Sequence, residues 1–254
     1  MEKLKKRVKE ENPAYDLLCA SVMLNKVEYD FGAVIKRFEA KWDLDIGPFT
    51  EENFLGFIVQ GMIVCCTFFK EPISDPALKE NVKSDFLWQD AETLVASHAA
   101  YILVSVMNQK DQLSAHGLFS KVISSLLESE NAIGVYQAPS FFEKSYYIKS
   151  AEILLDNKLP TELWVHIHAS EAADGFNFAT CGMQKFQKNE LEIIETKKNF
   201  IEAYYYLREI ITYTILNDIS FNDGETIAPN EFMKNTITVS EGVLTGGMTI
   251  KIDY

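Results

Sequence analysis

The sequence predicts an α+β fold, with two sheet-plus-helix halves packed into one globular body. Three observations carry this. Apolar residues make up 47% of the 254 residues and aromatics 12%, which is ample for a buried core and too rich for disorder. The first half reads β-α-β-β-α-β, the element order of a ferredoxin-like unit. The second half opens on a hairpin signal, carries one long helix and closes on a strand pair. Such a length fits one large domain or two small ones packed together.

The elements follow in order. Leu17 to Leu24 is an apolar run that reads as a buried first strand. Phe31 to Trp42 places Phe31, Val34, Ile35, Phe38 and Trp42 at helical spacing, and Asp30 is a suitable N-cap. Gly47-Pro48 breaks the chain. Leu55–Val59 and Met62–Phe69 read as strands paired antiparallel across Gln60-Gly61. Pro72 and Pro76 mark a loop, and a short helix over Asp90–Ala99 leads into a strand at Tyr101–Val106.

Gln112–Ser129 carries an apolar stripe at helical period, including Leu113, His116, Phe119, Val122, Ile123 and Leu126. Asn131–Tyr136 reads as a strand and Phe141–Leu155 as a helix. Leu163–Ala169 and Phe176–Met183 flank Asp174-Gly175, a hairpin turn signal. A strand over Leu191–Glu195, a helix over Phe200–Leu216 and a strand pair, Thr236–Ser240 with Met248–Ile252, complete the chain. The expected organisation is a charged N-terminal segment over 1–14, a first half over 15–135 and a second over 136–254.

The net charge of −13 repels phosphate backbones and argues against nucleic acid as a partner. It steers basic proteins instead. Met1 to Asn12 is a charged run without an apolar core, so no signal peptide is expected there. Phe54 to Phe69 is interrupted by Gly56, Gln60, Gly61 and Thr67 and is too short to span a bilayer, so no membrane partner is expected. Cys19, Cys65, Cys66 and Cys181 sit in apolar strand-like runs with no CxxC pair, which reads as buried, reduced thiols in a cytoplasm.

The chemistry-bearing patterns are few. His166-x-His168 puts two imidazoles on one strand face, with Cys181 or Asp174 as a third metal ligand or bland strand histidines as the alternative. His98 and His116 fall on apolar helix faces and read as core or boundary residues. Neither a dinucleotide glycine fingerprint nor a P-loop is present, so no cofactor and no catalytic set is expected. Asp218, Phe221, Asp223 and Glu225 follow the last helix, an aromatic among carboxylates. They read as an interaction surface, with Phe221 as an exposed anchor and the carboxylates free of Lys or Arg partners. Alternatively, Phe221 plugs the core and the carboxylates serve only the turn.

Several local patterns coincide with a known family. These are Ser21-Val22-Met23-Leu24 before a helix ending in Trp42, Trp88-x-Asp90-Ala91 before His98 to Val106, Ala132-Ile133-Gly134-Val135-Tyr136, and Asp223-Gly224-Glu225-Thr226-Ile227 before a closing hairpin. Together they resemble the bacterial domain of unknown function 4261. The resemblance implies a bacterial cytosolic protein and brings no established activity.

Asp174-Gly175-Phe176-x-Phe178, the helix through Tyr213 and Phe221-x-Asp223-Gly224 are also similar to the suppressor-of-fused-like domain. That group's bacterial members are associated with toxin-immunity loci. The leading expectation is a non-catalytic acidic protein of immunity or accessory type that binds a basic protein. A small-ligand module with a cleft between the halves and a metal-dependent hydrolase centred on His166 and His168 are the alternatives.

Overall fold

The computed structural model describes residues 17–254 apart from 85–87, 89, 110 and 231–232, so the charged segment 1–14 lies outside the described residues. Two sheets with six α-helices among the described residues make this an α+β protein. The chain divides into two units, one ending at Asp156 and one spanning Asn157–Tyr254. This corrects the expected boundary near 135, which would cut a strand of the first sheet.

The first unit contains β1 (Leu18–Leu24), α1 (Phe31–Trp42), β2 (Phe49–Glu51), β3 (Phe54–Val59), β4 (Met62–Phe69), α2 (Leu78–Ser84), α3 (Ala91–Ser97) and β5 (Ala100–Met107). It continues with α4 (Gln112–Leu127), β6 (Ala132–Gln137), β7 (Ser140–Glu143) and α5 (Lys144–Glu152). Its seven strands lie in the order β2-β3-β4-β5-β1-β6-β7, each antiparallel to its neighbours. The element order is β-α-β-β-β-α-α-β, with β2 and a further helix added to the predicted β-α-β-β-α-β, and the pairing is not ferredoxin-like. A split βαβ unit separates the strands flanking its helix by one strand. Here β5, β4 and β3 all intervene between β1 and β2, the strands that flank α1.

Local signals explain most elements. Asp30 caps α1 by accepting a hydrogen bond from the Ala33 N–H at 3.2 Å. Gln60 and Gly61 both have positive φ, as a tight β3–β4 hairpin turn requires. Asp111 caps α4, accepting from the amides of Leu113 and Ser114. Apart from half-buried Lys121, residues of α4 from Ala115 to Leu127 are buried, because α1, α5 and strands β1, β5 and β6 all pack on this helix.

Alternation along β1 sends Val22 and Leu24 to one sheet face and Met23 to the other. There Met23 joins Leu78, Val82, Trp88, Ala91, Val95, Tyr136 and Phe141 in a second core. Gly134 is obligatory at this place: a Cβ on it would lie 2.6 Å from the Trp88 ring and 2.7 Å from the Phe142 carbonyl.

The stretch predicted as a helix from Phe141 begins as strand β7 instead. Phe142 pairs with Val135 and Phe141 with Tyr136, whose rings stack at 4.6 Å. Glu143 then caps α5 by accepting from the Tyr146 amide.

The second unit contains β8 (His166–Ala172), β9 (Gly175–Cys181), β10 (Glu190–Thr196), α6 (Phe200–Leu216), β11 (Thr226–Asn230), β12 (Met233–Glu241) and β13 (Met248–Ile252). The sheet order is β11-β12-β13-β10-β9-β8, with β10 and β13 parallel and the other pairs antiparallel. Asn199 caps α6 through the amides of Ile201 and Glu202. The helix buries Ala203, Tyr204, Tyr206, Leu207, Ile210, Ile211, Thr214 and Ile215, and Phe200 packs edge-on against Phe176.

Among the described residues no helix is long and apolar enough to cross a membrane. All four cysteines are free, but only Cys66 is buried, whereas Cys19 and Cys181 are exposed. The expectation of uniformly buried thiols fails because Cys19 and Cys181 alternate onto the less covered faces of their strands.

Candidate functional site

The segment that follows α6 is held in one conformation from its first residue. Asp218 takes the left-handed conformation at φ 51°. The Asp218 amide donates to the Ile215 carbonyl and the Ile219 amide to the Thr214 carbonyl, a Schellman closure of the helix. The Lys188 ammonium, itself almost fully buried, pairs with the exposed Asp218 carboxylate at 2.6 Å and reaches the Ser220 hydroxyl at 3.3 Å. Asp218 therefore has a lysine partner, contrary to the expectation from sequence.

The next turn is tied to the sheet. The Asp223 carboxylate accepts the Val239 N–H at 2.9 Å, and the Gly224 amide donates to the Ile237 carbonyl at 3.0 Å. Glu225 accepts from the Asn222 amide at 2.9 Å and from its side-chain nitrogen at 2.8 Å. The side-chain bond from Asn222, with help from its backbone N–H, holds the Glu225 carboxyl below its ordinary range. Among the described residues no Lys or Arg pairs with Asp223 or Glu225, and both are exposed.

Phe221 is half-buried and lines an open pocket of about 430 Å³ with Tyr213, Ile219, Gly224, Glu225, Thr226 and Ile227. The lining is mixed, with the side chains of Tyr213, Ile219, Phe221 and Ile227 on the apolar part and Gly224, Glu225 and Thr226 on the polar part. A half-buried ring combines the two sequence expectations for this residue: it seats the loop and still presents surface. The arrangement suits an elongated ligand with an apolar stem and a cationic tip. The loop is pinned at both ends, so little ordering cost attends binding.

The histidine pair is placed differently. His166 and His168 alternate on β8, opposite Cys181 and Ala179 on β9. Burial, then the neighbouring His168, pushes the pKa of half-buried His166 down to about 4. Asp174 is engaged by Lys197. Among the described residues no group of three or more His, Cys, Asp or Glu is arranged to hold a metal ion. His98 is a core residue, with Nε2 accepting from the Ile73 amide at 2.8 Å and Nδ1 facing the Val95 carbonyl. His116 is fully buried, with Nδ1 2.9 Å from the Gln112 carbonyl.

Sequence reasoning missed two carboxylates. Glu190 and Glu192, both buried in β10, organise the second unit. Glu190 accepts from the Thr180 hydroxyl at 2.6 Å and from the Gly182 amide at 3.0 Å, holding the turn before β10. Glu192 accepts from the amides of Leu244 at 2.8 Å, Thr245 at 2.9 Å and Val243 at 3.1 Å, and from the Thr249 hydroxyl at 3.1 Å. Lys251 lies 3.6 Å away. Burial works to raise its pKa, but the amides of Val243, Leu244 and Thr245 prevail and hold it below the ordinary value. The one available sequence signal was two glutamates at alternate positions beside the apolar residues Leu191, Ile193 and Ile194.

In the first unit an open cleft of about 830 Å³ is bordered by Lys26, Glu28, Asp30, Arg37, Glu128 and Glu130. Its central charges are engaged internally: Glu128 takes Lys41 at 2.6 Å and Arg37 at 3.8 Å.

Comparison with known proteins bears on the second unit. Neither the curated proteins nor the solved structures give a match. The family comparison does not show the suppressor-of-fused-like likeness. Residues 179–253, which include β10, α6, the Phe221 loop and the closing strands, match the family model described as Domain of unknown function (DUF4261).

Proposed function

We propose that this chain is an acidic, cytoplasmic interaction protein whose second unit takes a cationic side chain of a basic partner protein into the Phe221 pocket. The observation that carries this reading is the pocket itself: Phe221, Tyr213, Ile219 and Ile227 line it together with Glu225, which has no basic partner among the described residues. The exposed Asp223 carboxylate adds negative charge in the same loop, and the net charge of −13 favours encounter with a basic protein. Aromatic and aliphatic walls hold a lysine or arginine stem, and a ring face adds cation–π attraction of about 0.5–1 kcal/mol at an exposed site.

The test is a titration with N-acetyl-arginine amide followed by methyl and amide NMR shifts. Saturable shifts confined to Ile219, Phe221 and Ile227, weakened by added salt and abolished in Phe221→Ala combined with Glu225→Gln, are expected. Equal shifts with N-acetyl-leucine amide would show that the pocket does not select a cation.

A further inference from the structure

The outer face of α6 is unusual for a helix whose other face is already buried. Ile201, Tyr205 and Leu216 are 57%, 55% and 61% exposed. At about 100° per residue they fall within about 60° of the helix circumference. From Ile201 to Leu216 the line spans about 22 Å at 1.5 Å rise per residue. Glu202 and Glu209 run along one side of it, and beyond them Tyr213, 44% exposed, forms a wall of the Phe221 pocket.

The one cation on the other side, Arg208, is engaged. It pairs with Glu162 at 3.2 Å and lies over the rings of Tyr204 and Tyr205 at 5.9 and 5.7 Å. The ridge thus presents Ile201 and Tyr205 at one end and Leu216 at the other, with half-buried Arg208 and Thr212 between them and the carboxylates of Glu202, which accepts from the Tyr254 hydroxyl, and Glu209 along one flank.

We propose that this ridge docks an amphipathic basic helix of the partner. Its apolar residues at helical spacing would lie along Ile201, Tyr205 and Leu216, and its Lys or Arg residues would face Glu202, Glu209 and the pocket. A helix is the complement of a straight ridge because side chains of one helix interlock with the grooves of another at 8–10 Å between axes. The charge pattern sets the basic sign of the partner. The proposal rests on the pocket reading only for its terminal anchor.

The experiment uses the full chain and a fluorescein-labelled 18-residue peptide of leucine and lysine with leucines at helical spacing. A scrambled peptide of the same composition and an acidic leucine–glutamate peptide are the comparisons, read by fluorescence anisotropy at about 0.15 M salt. The expected result is saturable binding at least tenfold tighter than the scrambled peptide, weakened at least tenfold in Tyr205→Glu and Leu216→Glu.

Circular dichroism checks that both variants fold, and N-acetyl-arginine amide binding in the same variants should be unchanged. Loss of pocket binding with ridge binding intact would refute the pocket alone. Equal affinity for the scrambled peptide, or ridge variants without effect, would overturn the ridge. So would an oligomer in sedimentation that Tyr205→Glu dissociates, or capture by anionic lipid vesicles, since either assigns the ridge to another occupant.

Discussion

Glutamate at position 192 should be the most sensitive single polar residue of the second unit. Its carboxylate is fully buried and collects the amides of Val243, Leu244 and Thr245 together with the Thr249 hydroxyl, which fixes the loop between β12 and β13. Glu192→Gln preserves shape and one acceptor, so the amides of Leu244 and Thr245 can stay bonded. The side-chain nitrogen then faces the Val243 N–H and the Thr249 hydroxyl, and Lys251 loses its counter-charge. Hydrogen bonds to a charged group contribute about 1.5–3 kcal/mol each, against about 1 for neutral ones. Losing that difference over several bonds gives an expected destabilisation of about 2–4 kcal/mol.

Glu192→Leu orphans every one of these donors and should cost more, since each unsatisfied buried group costs about 1–3 kcal/mol. Urea unfolding monitored by tryptophan fluorescence should show a lower midpoint at unchanged slope. Hydrogen exchange should show protection lost first at Val243–Thr245.

The pH dependence has a definite sign. The folded carboxyl is depressed below its ordinary 4.5, so the contribution is present above about that pH and is lost as pH falls through the folded value. The gap between wild type and Glu192→Gln should therefore narrow as pH falls below 4.5 and close as it passes through the depressed folded value. An unchanged midpoint for Glu192→Gln at pH 7 would refute the reasoning, because it would mean the loop finds equivalent acceptors without the charge.

Two further outcomes are expected. Gly134→Ala should destabilise the first unit by at least about 2 kcal/mol, since the added methyl meets both the Trp88 ring and the Phe142 carbonyl, and a normal midpoint would show that Trp88 moves freely. Under native conditions iodoacetamide should label Cys19 and Cys181 readily, Cys65 more slowly and Cys66 only after denaturation. Cys66 is buried and its thiol is pushed up by that burial and by neighbouring Cys65, so mass spectrometry showing Cys66 labelled early would contradict the packing of β4.

Where local chemistry decides structure, the sequence by itself was sufficient. The limits of α6, the Asp30 cap, the Gln60-Gly61 turn and the closing strand pair all rest on signals within a few residues. The candidate pocket was partly legible for the same reason: Phe221 among Asp218, Asp223 and Glu225 marks a polar loop around an aromatic.

Tertiary structure decided what depends on partners distant in the chain. Nothing local tells β5 to insert between β4 and β1, because any of several apolar strands satisfies the same alternation, and the choice is made by packing over the whole sheet. Phe141 and Phe142 have helix-compatible neighbours, and only pairing with Tyr136 and Val135 makes them a strand. Asp218 looked like a free surface charge until the fold brought buried Lys188 to it from thirty positions earlier in the chain. Glu192 reads from the sequence only as part of the strand over Leu191–Glu195, yet loop amides some fifty positions later close over it. A charged side chain's role follows from which donors reach it and how much water is excluded, and both are properties of the folded chain.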